Sequence, residues 1–306
     1  MSTSLQASLR ENVCHGTPDF PVSFYRDTYE DVPAHWHGEM EVTLVRGGSL
    51  DYAIDLAAYQ VSEGDLLLIR PDTLHAAHRH PDCQAVTDSV VFHLNLAGLS
   101  TPDLCTMQYI RPLQNGAWSI PSVVHPEDPH YADLKDCFLR LWDCREEDLP
   151  CRALALKAAV FQLLQILCRF FAVWAGRSRG PDRQIEKVKL ALAYLRSHYT
   201  ESITIPQLAA LSGFCPAHFM SVFKKAVGST CIDYLNEYRL TLASADLRET
   251  SQPITQIAMN HGFQTVSYFN RVFRRKYNMT PREYRRAILA RQQDPSPALR
   301  NGDQNT

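Results

Sequence analysis

The stretch ITQIAMNHGFQTVSYFNRVFRRK, Ile254 to Lys276, decides how the C-terminal third folds, because its pattern also occurs about 49 residues earlier as IPQLAALSGFCPAHFMSVFKK, Ile205 to Lys225. Leu208 answers to Ile257, Ala209 to Ala258, Gly213-Phe214 to Gly262-Phe263, Phe219 to Phe269, and Phe223 to Phe273. In each copy a short helix carries a small residue four positions before a glycine. The small residue admits a second helix closely, and the glycine supplies the positive φ of a tight turn. The second helix sets its two phenylalanines four apart on one face and leaves the other face free. Cations of the kind that contact phosphate follow at Lys224, Lys225, Arg274, Arg275 and Lys276. Two helix-turn-helix units joined by a long helix, roughly 232 to 248, are therefore expected. An ordinary bundle with a charged surface is the alternative, and the duplication argues against it.

Charge divides the chain in the same way. The net formal charge is -2, but residues 1 to 182 carry 14 Lys and Arg against 24 Asp and Glu, whereas residues 183 to 290 carry 15 against 7. A basic module after an acidic one suggests a polyanion-binding part with a partner that does something else. At 306 residues, two domains are the default. No run approaches the roughly 18 to 20 uninterrupted apolar residues of a spanning helix, and Met1 to Asn12 lacks the blocks of a signal peptide, so a cytoplasmic protein is expected. The nine cysteines lack a Cys-x-x-Cys pair and read as reduced thiols, mostly packed as small apolar residues.

Upstream of the repeat the periods change. From 21 to 96, short apolar runs such as Glu41 to Val45, Leu50 to Leu56 and Leu66 to Ile69 alternate with turns, which indicates a β-sandwich or barrel. From 128 to 174 one helical stripe is Leu134, Phe138, Leu141 and Trp142, and a second runs from Leu154 to Phe171, with a break at Leu149-Pro150. The predicted organisation is an N-terminal segment 1–20, a β domain 21–126, a helical hairpin 127–175, a linker 176–184, a helical domain 185–288 and a disordered tail 289–306. Cys137, Cys144 and Cys151 recur every seven residues, but without basic neighbours to depress their pKa they read as buried packing.

The C-terminal third resembles the DNA-binding domain of the AraC/XylS family of bacterial transcription regulators. The resemblance covers Ile185 to Arg286 and is most specific at Ile254-Thr-Gln-Ile-Ala, His261-Gly-Phe, Ser267-Tyr-Phe-Asn-Arg-Val-Phe-Arg-Arg and Thr280-Pro-Arg-Glu-Tyr-Arg. It implies two recognition helices in successive major grooves, about 34 Å apart. Carried over by position, Ala217, Met220 and Ser221 face bases from the first unit, and Val266, Ser267, Asn270 and Arg271 from the second. Arg pairs bidentately with guanine and Asn with adenine, so the second set is the better equipped. The first unit departs from the family in Cys215, where Ser commonly caps the helix, and in Ser221, where Arg is common.

In the β part, His35-Trp36-His37 with Glu41 and Gly48 resembles the first motif of a cupin, and Gly64, Pro71 and His75 resemble the second, with Thr73 in place of a usual Gly. The resemblance implies a jelly-roll barrel. In metal-binding cupins the matching positions, here His35, His37, Glu41 and His75, hold one divalent metal. Three readings stay open for this set with Trp36, taken in this order: an effector pocket, a structural remnant whose histidines are satisfied by neighbours, and a metal site. No cofactor is expected on the first two. Trp36, Tyr25, Tyr52 and His37 suggest stacking on a sugar or an aromatic acid. The helical hairpin matches the family's dimerisation element, or else packs only on the β domain.

The expected fold is α+β and multidomain: a cupin-like barrel, a helical dimerisation segment and an all-α domain with two helix-turn-helix units. The expected function is a non-enzymatic, effector-responsive, sequence-specific transcription activator of metabolic genes. Its expected partners are double-stranded DNA, RNA polymerase, a small molecule such as a sugar, and a second copy, with no membrane. The alternative is a metal-dependent cupin enzyme with an accessory nucleic-acid-binding domain.

Overall fold

The computed structural model describes residues 15–17, 19–28, 31–79, 85–97, 103–174 and 182–293. Eleven strands are present among them: β1 (Val22–Thr28), β2 (Val32–His35), β3 (Met40–Gly47), β4 (Ser49–Ile54), β5 (Ala57–Ser62), β6 (Leu66–Ile69), β7 (His75–Arg79), β8 (Val86–Phe92), β9 (Trp118–Ser119), β10 (Val123–Val124) and β11 (Val173–Trp174). The helices are α1 (Arg111–Gln114), α2 (Tyr131–Asp143), α3 (Arg152–Ile166), α4 (Arg183–Ser197), α5 (Ile205–Ser212), α6 (Pro216–Val227), α7 (Cys231–Glu249), α8 (Ile254–Asn260), α9 (Val266–Tyr277) and α10 (Pro281–Gln293), with short π-helical turns before α1 and after α3.

Two antiparallel sheets, ordered β1-β8-β3-β6-β10 and β2-β7-β4-β5, make the barrel that the cupin-like pattern predicts. Alternation along β3 assigns its faces. Met40, Val42 and Leu44 join the core that the first sheet shares with α2 and α3, while Val45 joins the core formed with residues of the second sheet. Glu41 and Thr43 share the face of Val45. On β6 the same rule sends Leu66 and Leu68 toward the helices and Leu67 and Ile69 to the other face.

The stripe predicted on α2 is buried throughout: Leu134, Phe138, Leu141 and Trp142 pack against α3 and the first sheet. On α3 the predicted stripe is offset, because Leu154 is 70% exposed and the packed residues are Leu156, Val160, Leu163 and Leu167. By length and composition Arg152–Phe171 is a candidate membrane span, which the sequence reading had not recognised. Of this span Leu156, Val160, Leu163 and Leu167 are buried in the core with α2. The described cysteines are free thiols; Cys137 and Cys144 are buried, and burial pushes Cys137 up to about 11 and raises Cys144 despite the nearby Arg140 and Arg152, which the sequence reading did not expect. Cys151 is exposed, which corrects the reading of all three as buried packing.

In the helical part the duplicated sequence becomes duplicated structure. Gly213 and Gly262 take φ of +62° and +78°, and the next residue closes the turn backwards: Phe214 N–H donates to Ala209 O at 2.9 Å, and Phe263 N–H to Ala258 O at 3.0 Å. This is the hydrogen-bond pattern of a helix ended by a left-handed residue. A Cβ on Gly262 would lie 2.7 Å from Tyr199 O, so the turn also needs glycine for space.

By contact grouping the chain forms two units, Met1–Ala193 with Ile205–Thr230, and Tyr194–Thr204 with Cys231–Thr306. In this grouping the first helix-turn-helix falls in the same unit as the barrel. The cause is the packing of α6 on β4, β5 and β7, with His78 Nε2–H donating to Val227 O at 3.0 Å. In the second unit Leu240, Ala243 and Leu247 of α7 pack with Ile257, Ala258, Phe263, Phe269, Val272 and Phe273. The buried Arg239 of α7 donates to Tyr199 O at 2.6 Å and to Glu201 O at 2.8 Å, satisfying the guanidinium. Helix α4 begins inside the predicted linker, and α10 runs to Gln293, past the predicted start of the tail. The rest of the tail and residues 176–181 of the linker lie outside the described residues.

The helix starts of α6 and α9 differ in their caps. Thr265 Oγ1 accepts from Tyr268 N–H at 3.2 Å, whereas Cys215 offers no side-chain cap bond although its backbone is extended. Cys215→Ser is expected to raise stability by about 1 kcal/mol and Thr265→Ala to lower it by about the same, read by urea unfolding. His125 gives a pH-dependent contribution. Its Nδ1 meets the buried Asp65 carboxylate at 2.8 Å, and that hydrogen bond and charge outweigh desolvation and raise its pKa. A raised histidine stabilises fully below its ordinary value near 6.5, and loses that contribution as pH rises through the higher folded value. The melting-temperature gap between wild type and His125→Gln should thus be widest near pH 5 and shrink by pH 8.5.

Candidate functional site

The free face of α9 is built by its buried one. Phe269, Val272 and Phe273 are buried, which fixes the helix rotation and leaves Ser267, Asn270 and Arg271 exposed, with Val266 half-buried. Arg271 lies over the Tyr268 ring at 5.1 Å, an arrangement that restrains the guanidinium without using its donors. On α6, Phe219, Val222 and Phe223 are buried and Ala217, Met220 and Ser221 are exposed. All seven predicted base-facing residues thus share the solvent side of their own helix, except that Val266 is partly covered.

The phosphate set is less uniform. Lys224, Lys225 and Arg274 are exposed, Lys276 is half-buried with Nζ 5.9 Å from the Tyr277 ring, and Arg275 pairs with Asp233 at 3.2 Å. Arg275 therefore has a protein partner that competes with a phosphate. Exposed Arg282 and Arg286 on α10 add cations that the sequence reading did not single out. A signal for them was present: Thr280 and Glu283 form a capping box, with Thr280 N–H donating to Glu283 Oε2 at 2.7 Å and Glu283 N–H to Thr280 Oγ1 at 3.3 Å, which marks a helix start just before Arg282.

In the barrel, strand pairing brings distant residues together. His35 of β2 is the register partner of His75 of β7, and their rings stand 4.2 Å apart. Glu41 reaches them from β3 in the other sheet: its Oε2 is 3.3 Å from His37 Nε2 and 3.6 Å from His75 Nε2. Its Oε1 accepts from Thr43 Oγ1 at 2.8 Å, and Thr43 in turn meets Ser89 Oγ at 2.7 Å. Burial raises the Glu41 carboxyl, but hydrogen bonds and charge from His37 and His75 together hold it well below the usual carboxylate range. Thr43 was overlooked in the sequence, although its place two residues after Glu41 on one strand put both on one face.

Trp36 does not join this group. It lines a cleft of about 1240 Å³ with Arg70, Asp72, Glu186 and Lys189, where Lys189 Nζ donates to Asp72 O at 2.9 Å and stands 5.2 Å from the Trp36 ring. Tyr52 belongs to the core between the sheets, and Tyr25 OH bonds at 2.9 Å to Nδ1 of His15, whose ring stands 5.1 Å from that of His37. Of the aromatic residues anticipated beside the histidines, Tyr25 thus reaches them through His15, whereas Trp36 lines the separate cleft. One turn of sequence sends His35 and His37 to one side and Trp36 to the other.

Comparison with known proteins supplies the family. A model described as an AraC-like ligand binding domain matches residues 17–164, and one described as a helix-turn-helix domain matches 208–287. The chain is 23% identical over 299 residues to the uncharacterized HTH-type transcriptional regulator YdeC of Bacillus subtilis (strain 168), covering 92% of this chain and 97% of that one. It is 34% identical over 97 residues to the regulatory protein SoxS of Escherichia coli (strain K12), covering 32% of this chain and 91% of that one. With the HTH-type transcriptional activator RhaS of Enterobacter sp. (strain 638) it shares 24% identity over 257 residues, 83% of this chain and 87% of that one. Two domain models in this order, and the identity across nearly all of SoxS, place the chain in the AraC family of transcription regulators, with a ligand-binding domain followed by a helix-turn-helix DNA-binding domain.

Proposed function

We propose that the chain is an effector-responsive activator that reads a specific duplex site as a homodimer in the cytoplasm and contacts RNA polymerase there, with no catalysis of its own. The observation that carries DNA reading is the exposed row Ser267, Asn270 and Arg271 on a helix whose rotation is fixed by Phe269 and Phe273. Activation is supported by the relative RhaS, which is named an activator. Dimerisation is supported by α3, whose far side leaves Leu154 and Phe161 70% and 45% exposed.

The effector reading rests on strand β7. His75, near its start, faces the barrel interior, and His78, three residues on and on the opposite face, holds Val227 at the end of α6. A ligand that moves β7 thereby shifts the hold on the first recognition helix, and a differential affinity for the two arrangements is what linkage requires. A polar metabolite of carbohydrate type matches the donors and acceptors of Thr43, Ser89 and the imidazoles, and is the first class to screen by calorimetry.

Duplexes selected from a random pool at near-physiological salt should contain one motif of two elements about one helical turn apart. On that site Arg271→Ala is expected to cost about 1–3 kcal/mol of discrimination, and Ser221→Ala less. Equal losses on matched and scrambled DNA would remove the base-reading assignment. The double substitution Leu154→Asp with Phe161→Asp should convert the dimer to monomer in sedimentation experiments without loss of folded structure. A dimer that survives it would exclude α3 as the interface.

A further inference from the structure

We infer that Asn236 is a positioning residue for base reading: from the connecting helix α7 it anchors Tyr268, and Tyr268 in turn aims Arg271, a role that rests on the base contact proposed for Arg271. Exposed on α9, that side chain ends a long rotatable stem. Ordering such a stem only when the matched base pair is met subtracts from discrimination. The guanidinium carbon lies over the Tyr268 ring, 5.1 Å from its centroid. Contact with a ring face holds a cation through the ring quadrupole and consumes no hydrogen-bond acceptor, so the N–H fork stays available for guanine O6 and N7.

A platform orients its load only if it is itself fixed. Tyr268 is half-buried; its backbone N–H donates to Thr265 Oγ1 at 3.2 Å, and its ring centroid stands 6.3 Å from that of buried Phe263. The far end of the side chain is held from α7, where Asn236 Nδ2–H donates to Tyr268 OH at 2.8 Å. Asn236 is 3% exposed, on a helix that also buries Tyr234, Leu235 and Leu240. A buried amide costs free energy unless it is bonded, and an apolar side chain would fill that place without the cost. The bond to Tyr268 is what the amide does there. Arg239, one turn on, backs the same aromatic group, with its guanidinium carbon 5.8 Å from the Phe263 ring.

Helix α7 reaches a second cation of α9 directly. Asp233, three residues before Asn236, pairs at 3.2 Å with Arg275, four residues after Arg271. Residues three or four apart lie on one face of a helix, so one face of α7 serves both cations. At Arg275 the contact occupies an N–H donor. At Arg271 the intervening ring restrains the cation and occupies none, which suits Arg275 to bracing the fold and Arg271 to a base.

Full-length protein is tested on the duplex recovered from the random pool and on its single-base-pair variants, by competition at near-physiological salt. Arg271→Ala first identifies the base pair whose preference depends on Arg271, expected to be guanine. The paired substitution Asn236→Leu with Tyr268→Phe replaces both hydrogen-bonding partners by apolar groups and keeps the ring, so the fold is retained. It should lower the preference at that one base pair about 2–5-fold and leave preferences at the other positions in place. In an Arg271→Ala background it should not change matched-site affinity. A merely structural role would lower binding to every duplex alike, with or without Arg271. Tyr268→Phe alone should act in the same direction and serves if the paired variant fails to fold. An unchanged preference in the folded variant, or an equal loss of matched-site affinity in the Arg271→Ala background, would overturn the positioning role and leave base reading by Arg271 intact. If Arg271→Ala alters no base preference, the base contact itself falls, and the positioning role with it.

Discussion

The strict period of two along β3 is the constraint on which the sensing domain depends. Met40, Val42 and Leu44 are wanted by the helices, and Glu41, Thr43 and Val45 by the barrel interior. A slip of one residue would put the Glu41 carboxylate and the Thr43 hydroxyl into the helix-packed core, away from their partners, so register is enforced by the cost of burying them there. The antiparallel pairing of β3 with both β6 and β8 then carries this choice across the first sheet.

The polar interior is a connected network. Glu41, Thr43 and Ser89 are joined by hydrogen bonds, and each histidine is tied to its own backbone. Such a network is strong where every member is satisfied and costly where one is left over. His75 sits on the strand whose outer face, through His78, also meets the end of α6. Gly228, just past that helix, leaves room for the His78 ring, which a Cβ would meet at 2.3 Å.

The two helix-turn-helix units solve one packing problem with different emphasis. Both close on glycine with the same backward hydrogen bond, and both bury a pair of phenylalanines. The second has the capped helix and exposes Asn270 and Arg271, while the first exposes Ala217, Met220 and Ser221 and lies in one unit with the barrel.

The sequence by itself determined what depends on local period and local chemistry. The duplicated turn was readable because Gly213 and Gly262 each sit four residues after an alanine. The stripe of α2, the capping deficit at Cys215 and the candidate ligands were readable for the same reason. What only the tertiary structure decided depends on partners far apart in the chain. Trp36 left the histidines for a cleft with Lys189, the packed stripe of α3 moved off Leu154, and Arg275 acquired Asp233, 42 residues away, as partner. His35 met His75 only through the register of β2 with β7, and the first helix-turn-helix was drawn to the barrel by a bond between residues 149 apart. A side chain's neighbours within a turn are set by backbone geometry, but its neighbours across sheets and between elements are set by which packing buries the most apolar surface while leaving the fewest polar groups unsatisfied, and no single stretch of sequence contains both halves of that balance.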